Sequence, residues 1–86
     1  MENYLALAAG FQIKDIKIGP RQTVLWIRKP GRHGAVDIRV AVKTAQFWNY
    51  VVAIEKNRFT DLAAMRRAGR ETVMPIAYGF AREYLV

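Results

Sequence analysis

The sequence predicts an α+β domain: a three- or four-stranded antiparallel sheet over about residues 11–56, followed by two short C-terminal helices packed on one face. Within residues 11–56, segments rich in β-branched and aromatic residues alternate with Gly and Pro breakers, as in a meander. From residue 60 onward, capping residues and apolar spacings of four indicate helices. A chain of 86 residues without a linker or repeat corresponds to one domain, residues 1–86.

Three strand segments come first. Residues 11–18 form the first strand, and their apolar alternation changes face near Asp15, which predicts a bulge. Residues 23–29 contain four consecutive apolar residues, which predicts a central strand covered on both faces. Residues 35–43 alternate cleanly, so that aliphatic residues face the core while Asp37, Arg39, Ala41 and Lys43 face solvent or a partner.

Residues 46–56 are compatible with two structures. As a strand, they place Trp48, Tyr50 and two aliphatic residues on one face, and the content of aromatic and β-branched residues favours this interpretation. As a helix, they would begin after an N-cap at Thr44 and align Phe47, Val51 and Ile54 in one stripe. We predict the strand.

The C-terminal third of the chain is predicted to be helical. Thr60 is the predicted N-cap of a helix that ends before Gly69, and arginines lie in its last turn. A second helix spans residues 71–86, with Thr72 as cap and Pro75 in the first turn, where a missing N–H costs little. Residues 1–9 are predicted to form one or two helical turns that Gly10 ends.

The chain is strongly basic, with a formal net charge of +7 and a pI near 10.3. A positive field of this size suits nucleic acid, an anionic membrane or an acidic protein surface. No apolar run approaches the ~20 residues of a membrane span, and no signal peptide is recognisable. We therefore expect a cytoplasmic (intracellular) protein without a membrane partner. The absence of cysteine fits this compartment without proving it.

Catalytic and metal-binding residue types are scarce. The chain contains no cysteine, no serine and a single histidine, and its seven carboxylates are scattered one at a time. A nucleophile–base pair or a zinc site would need residues that this composition does not supply. We expect no catalytic residues, no metal and no cofactor, and hence a protein that is not an enzyme.

Basic residues form two clusters that we predict to bind nucleic acid or a partner. One lies at the tip of the hairpin between the second and third strands: Arg28, Lys29, Arg32 and His33. The other lies at the turn between the two C-terminal helices: Arg66, Arg67 and Arg70. Aromatic residues that faced outward among such cations could stack on unpaired bases. Of the four candidates, Trp26, Phe47, Trp48 and Tyr50, we expect at least two to lie in the core.

The favoured function is non-enzymatic binding of DNA or RNA, with the two clusters contacting phosphates. The alternative is a small inhibitor, of the kind encoded by a virus or mobile element, that blocks a nucleic-acid-processing complex by binding its acidic or nucleic-acid-binding surface. A third hypothesis is a small subunit or a homodimer formed by pairing of an open sheet edge.

One local resemblance concerns the last third of the chain. Leu62-Ala63, Arg70-Glu71-Thr72-Val73, Phe80 and Glu83-Tyr84-Leu85-Val86 resemble the helix-turn-helix of bacterial winged-helix regulators. The turn glycine, Gly69, is about two positions late for this motif, and Pro75 and Gly79 fall within its second helix. The resemblance implies that Arg70, Glu71, Thr72 and Met74 would lie nearest the DNA groove.

Overall fold

The computed structural model describes residues 10–56 and 58–85. The elements are β1 (Gln12–Ile18), β2 (Gln22–Lys29), β3 (Val36–Lys43), α1 (Thr44–Glu55), α2 (Leu62–Arg67) and α3 (Arg70–Tyr84). The strands form an antiparallel sheet in the order β1-β2-β3, so β2 is central, as predicted. The predicted α+β class is confirmed. The helical turns predicted for residues 1–9 lie outside the described residues.

A bulge interrupts the pairing of β1 with β2. Ile13 pairs with Ile27 and Asp15 with Trp26, so Lys14 is the extra residue on β1. This is the bulge that the change of face near Asp15 predicted. Because the side chains on either side of a bulge fall out of simple alternation, Ile13, Ile16 and Ile18 can all reach the same face of the sheet.

The two faces of the sheet differ in burial. Leu25 and Ile27 on β2 are fully buried and join the buried residues of all three helices in one core. Val24 and Trp26 point to the opposite face, remain half-buried and are not packed against that core. The prediction that the second strand is covered on both faces is therefore wrong with respect to the described elements, since the apolar run continues onto a face that none of them covers.

The preference for a strand at residues 46–56 is also wrong, because these residues form α1. Phe47 and Val51, one helical turn apart, are buried in the core, which outweighs the β-propensity of the segment. The alternative helical interpretation is right about this pair but not about Ile54, which is 55% exposed. The N-cap is Lys43 and not Thr44, whose side chain has a different role.

That role is to join the start of α1 to the turn before β2. The Thr44 hydroxyl donates to the Gly19 carbonyl at 2.7 Å and lies 2.7 Å from the Thr23 hydroxyl. Because its single proton is already used on Gly19, Thr44 accepts the second bond from Thr23. The Thr44 amide donates to the Arg21 carbonyl at 2.8 Å. The chain thus passes from β3 into α1 with no loop residue between them.

The helices at the C-terminal end are confirmed, with shifted boundaries. Asp61 and not Thr60 caps α2, since its carboxylate accepts the Ala64 amide at 2.8 Å. Gly69, at φ 94°, separates α2 from α3 and serves as the N-cap of α3 in place of Thr72. Because α3 starts at Arg70, Pro75 is its sixth residue and lies beyond the first turn, where it removes the N–H that would bond the fourth residue before it.

Aromatic rings fill the contact between α1 and α3. Phe47 meets Phe80 edge-on at 5.2 Å between ring centroids, and Tyr50 meets Phe80 at 5.5 Å in the same geometry. Phe11, before β1, stacks on Tyr78 at 4.7 Å. None of the helices described in residues 10–56 and 58–85 combines the length and apolarity needed to cross a membrane.

Candidate functional site

The face of the sheet opposite the helices, which we call the open face, carries three cross-strand rows defined by the register. The central row is Asp15–Trp26–Arg39, with Gln12–Arg28–Asp37 on the hairpin side and Lys17–Val24–Ala41 on the other; Lys43 lies beyond them, paired with Gln22. The polar members of these rows are mostly exposed. A three-stranded surface with a tryptophan at its centre is therefore left uncovered by every described element.

Positive charge dominates the open face. The register places the cations Lys17, Arg28, Arg39 and Lys43 and the carboxylates Asp15 and Asp37 on it, which leaves a formal excess of two positive charges. Both carboxylates are bonded to arginines. Within the described residues, no carboxylate lies within salt-bridge distance of Lys17, Arg39 or Lys43. These three cations are available to an anionic ligand as far as that part of the chain is concerned.

Arg28 and Asp37 form a bidentate ion pair at the hairpin end of the open face. Arg28 Nε donates to Asp37 Oδ1 at 2.7 Å and Nη2 donates to Oδ2 at 3.0 Å. The hydrogen bonds from Arg28 lower the pKa of Asp37, against a smaller opposing effect of desolvation, and nearby Lys14 lowers it slightly further. The same hydrogen bonds raise the pKa of Arg28.

Arg70, the first residue of α3, is bound to the bulge of β1. Its guanidinium donates to Asp15 Oδ1 at 2.6 Å and to the Lys14 carbonyl at 3.0 Å. Asp15 also accepts the Ile16 amide at 2.8 Å. The bulge therefore gives Arg70 two acceptors, and it holds the start of α3 against the edge of the sheet.

The seven predicted site residues fall into two regions. Arg28 is on the open face, Lys29 is half-buried at the end of β2, and Arg32 and His33 are exposed in the hairpin loop. Arg66 and Arg70 line a shallow hollow with Ile16, Lys17 and Ile18 along β1, and Arg67 is exposed beside them.

The two predicted clusters are therefore separated, one at the tip of the β2–β3 hairpin and the other along the β1 edge. The Lys14 carbonyl binds Arg70 at the β1 edge. Arg28 and Arg70 are engaged in internal ion pairs, which reduces what either can offer a ligand.

The sequence-based prediction missed Lys17, Arg39 and Lys43 as a group. The alternation of β3 identified a polar face containing Arg39 and Lys43, but only the register with β2 brings Trp26 beside Arg39. Of the four candidate stacking residues, Phe47 is buried and Tyr50 packs on Phe80, while Trp26 alone of the four lies on the open face. The expectation that at least two belong to the core therefore agrees with the packing of Phe47 and Tyr50.

The described residues contain no group of three or more His, Asp or Glu side chains arranged to hold a metal ion. The arrangement on the open face instead suits ionic contacts and aromatic stacking. Comparisons with protein-family models, with curated proteins and with solved structures find no significant match to the chain. The function is therefore argued from the geometry and charge of the surface.

Proposed function

We propose that the protein binds nucleic acid through the open face of its sheet. The observation that carries this proposal is the concentration of four cations on a sheet face that no described element covers, with both of its carboxylates already bonded to arginines. Lysine and arginine neutralise phosphates and release condensed counterions, so such a surface gains affinity for a polyanion regardless of sequence.

The two predicted clusters extend this surface. Arg32 and His33 continue it beyond the hairpin end of the face, whereas Lys29 follows Arg28 on β2 and so points to the opposite side of the sheet. Arg66 and Arg67 continue the surface around the β1 edge. We assign Arg28 and Arg70 a supporting role, because their guanidinium groups orient Asp37 and Asp15 and neutralise carboxylates that would otherwise repel phosphate.

Fluorescence anisotropy with labelled DNA and RNA, single-stranded and duplex, tests the proposal. We expect tight binding near 50 mM salt that weakens steeply as salt rises. The triple variant Lys17→Gln/Arg39→Gln/Lys43→Gln should make the negative slope of log affinity against log salt shallower by about 2 for single strands, as expected for three lost phosphate contacts.

The matched control is Lys56→Gln/Arg58→Gln/Arg82→Gln, which removes the same charge from the exposed cations of the helical side. This control should leave the slope unchanged, because none of its residues lies on a strand. If the two triple variants lost equal affinity, the binding would depend on net charge and not on the open face. If the wild-type protein bound nucleic acid no better than a neutral protein does, the proposal would be refuted.

A second candidate function, binding to a nucleic-acid-processing protein complex, draws support from α1. Val52 and Ile54 are 44% and 55% exposed, and Trp48 is half-buried on the same helix. Exposed apolar residues of this size are more typical of a protein contact than of a phosphate contact. A pull-down from nuclease-treated lysate separates the two functions, since partners that survive nuclease favour the protein complex and their loss favours nucleic acid.

A further inference from the structure

Trp26 is the one large aromatic residue that the described strands present on the open face. Its register partners are Asp15 on β1 and Arg39 on β3, so it lies at the centre of the sheet and not at its rim. It is half-buried and does not belong to the core or to the residues packed against the core.

The side chains next to Trp26 on the open face differ between its two sides and between β1 and β3. The next row contains Val24 and Ala41, both short, and Asp15 is drawn toward Arg70 and the Ile16 amide. Arg39 is long and exposed, with no carboxylate within salt-bridge distance among the described residues. A planar ligand could rest on the indole while its anionic group meets a cation from β3 or β1.

From this arrangement we infer that the open face binds single-stranded nucleic acid, with one unpaired base stacked on Trp26 and the flanking phosphates on Lys17, Arg39 and Lys43. The inference rests on the proposed function and names its substrate class. In a duplex, the faces of the bases are covered by their neighbours in the stack. The half-buried Trp26 side chain on the sheet surface therefore cannot stack on them. An unpaired strand exposes those faces, and stacking on an aromatic side chain tolerates any base.

Tryptophan fluorescence tests the stacking directly, because the chain has two tryptophans. The Trp48→Phe variant retains Trp26 as its sole tryptophan. We expect oligo(dT) of about 12 nucleotides, a length within the range of known single-strand sites, to quench this emission at the concentration where anisotropy reports binding. In Trp26→Phe, which retains Trp48, the same titration should leave the emission nearly unchanged.

Affinity measurements give the second readout. Trp26→Leu should weaken binding of the oligonucleotide by about 5- to 150-fold, the range that one stacked base is worth, and leave duplex affinity unchanged. Trp26→Phe should restore most of the loss because it retains a ring. Trp48→Leu is the matched control and should not change single-strand affinity. Thermal melting of each variant establishes that it is folded.

The outcomes separate the two proposals. Equal affinity for duplex and single strands, without quenching of Trp26 fluorescence, would overturn the inference and leave the proposed function standing. Failure to bind either form at low salt would overturn the proposed function itself. A preference for single strands that disappears in Trp26→Leu and returns in Trp26→Phe would support both.

Discussion

At the scale of single residues, Gly79 illustrates how a locally unfavourable choice is explained by packing. Glycine in the interior of a helix costs about 1 kcal/mol relative to alanine, yet Gly79 lies in the body of α3. A Cβ atom added there would collide with the hydroxyl oxygen of Tyr50, whereas the ring carbon bearing that hydroxyl would be 3.6 Å away, an ordinary contact. The glycine therefore makes room for Tyr50.

We predict that Gly79→Ala destabilises the protein by about 1–3 kcal/mol because Tyr50 must leave its place against Phe80. In a Tyr50→Phe background, which lacks the hydroxyl oxygen, the same substitution should instead stabilise the fold by up to about 1 kcal/mol. Urea denaturation of the four proteins of this cycle measures both effects. A stabilising Gly79→Ala in the wild-type background would contradict the explanation.

A second prediction at this scale concerns Asp37. Because hydrogen bonds from Arg28 lower its pKa in the folded state, ionised Asp37 stabilises the fold. This contribution is present above the unfolded-state pKa near 3.9 and is lost as the pH falls through the lower folded-state value. NMR titration of the Asp37 carboxyl carbon should show its pKa rising in Arg28→Gln. Arg39→Gln, which removes one charge from the same face, should leave it nearly unchanged; equal shifts would exclude the hydrogen bonds as the cause.

At the scale of elements, α1 shows where sequence reasoning failed. The segment Trp48-Asn49-Tyr50-Val51-Val52 contains residues typical of strands, and both periodicities place apolar residues on one face. The deciding interactions are distant in sequence, since Phe47 and Tyr50 contact Phe80 in α3. By contrast, local signals were sufficient for the bulge near Asp15 and for Gly69 between α2 and α3.

The junction of β3 and α1 depends on the hydroxyl of Thr44. Thr44→Val retains the shape of the side chain but leaves the Gly19 carbonyl and the Thr23 hydroxyl without this partner. We predict a loss of about 1–3 kcal/mol in the free energy of unfolding, the usual cost of buried polar groups left unsatisfied.

Thr60→Val is the matched control for this substitution, because Asp61 caps α2 and Thr60 is exposed. It should change stability by no more than about 0.5 kcal/mol. Chemical denaturation of both variants provides the measurement, and similar losses in the two would argue against the Thr44 network.

At the scale of the whole molecule, the fold separates an apolar, helix-covered side of the sheet from a basic, open side. The fold class and the solvated face of β3 could be predicted from periodicity together with breakers and capping residues. The continuous apolar run of β2 predicts its central position correctly, although the coverage on both faces that the run suggests is wrong with respect to the described elements. The candidate site could not, because it depends on which residues of different strands lie side by side. The sequence places Trp26 and Arg39 thirteen positions apart, and only the β2–β3 register makes them neighbours. The internal pairing of Arg28 and Arg70 likewise depends on contacts across the fold.

This separation yields a prediction about the hairpin tip. Lys29 and Lys43 lie at opposite ends of the sheet, about 23 Å apart along a strand. The triple variant Lys29→Gln/Arg32→Gln/His33→Gln should weaken binding independently of Lys17→Gln/Arg39→Gln/Lys43→Gln. In anisotropy titrations of the combined variant, the loss in log affinity should equal the sum of the separate losses. If the combined variant lost no more affinity than Lys17→Gln/Arg39→Gln/Lys43→Gln alone, the hairpin tip would not be part of the binding surface.

The direct passage from β3 into α1 has a consequence for how this chain tolerates insertions and deletions. One residue added between Lys43 and Thr44 would turn the helix by about 100°, carrying Phe47 and Val51 out of the core and placing Gln46 and Tyr50 at their positions instead. In the hairpin loop, residues 31–34 are all exposed, so an added residue there would not move a buried side chain of the loop out of the core. Length variation and genetically inserted labels are therefore expected to be accepted at the hairpin loop and rejected at the junction.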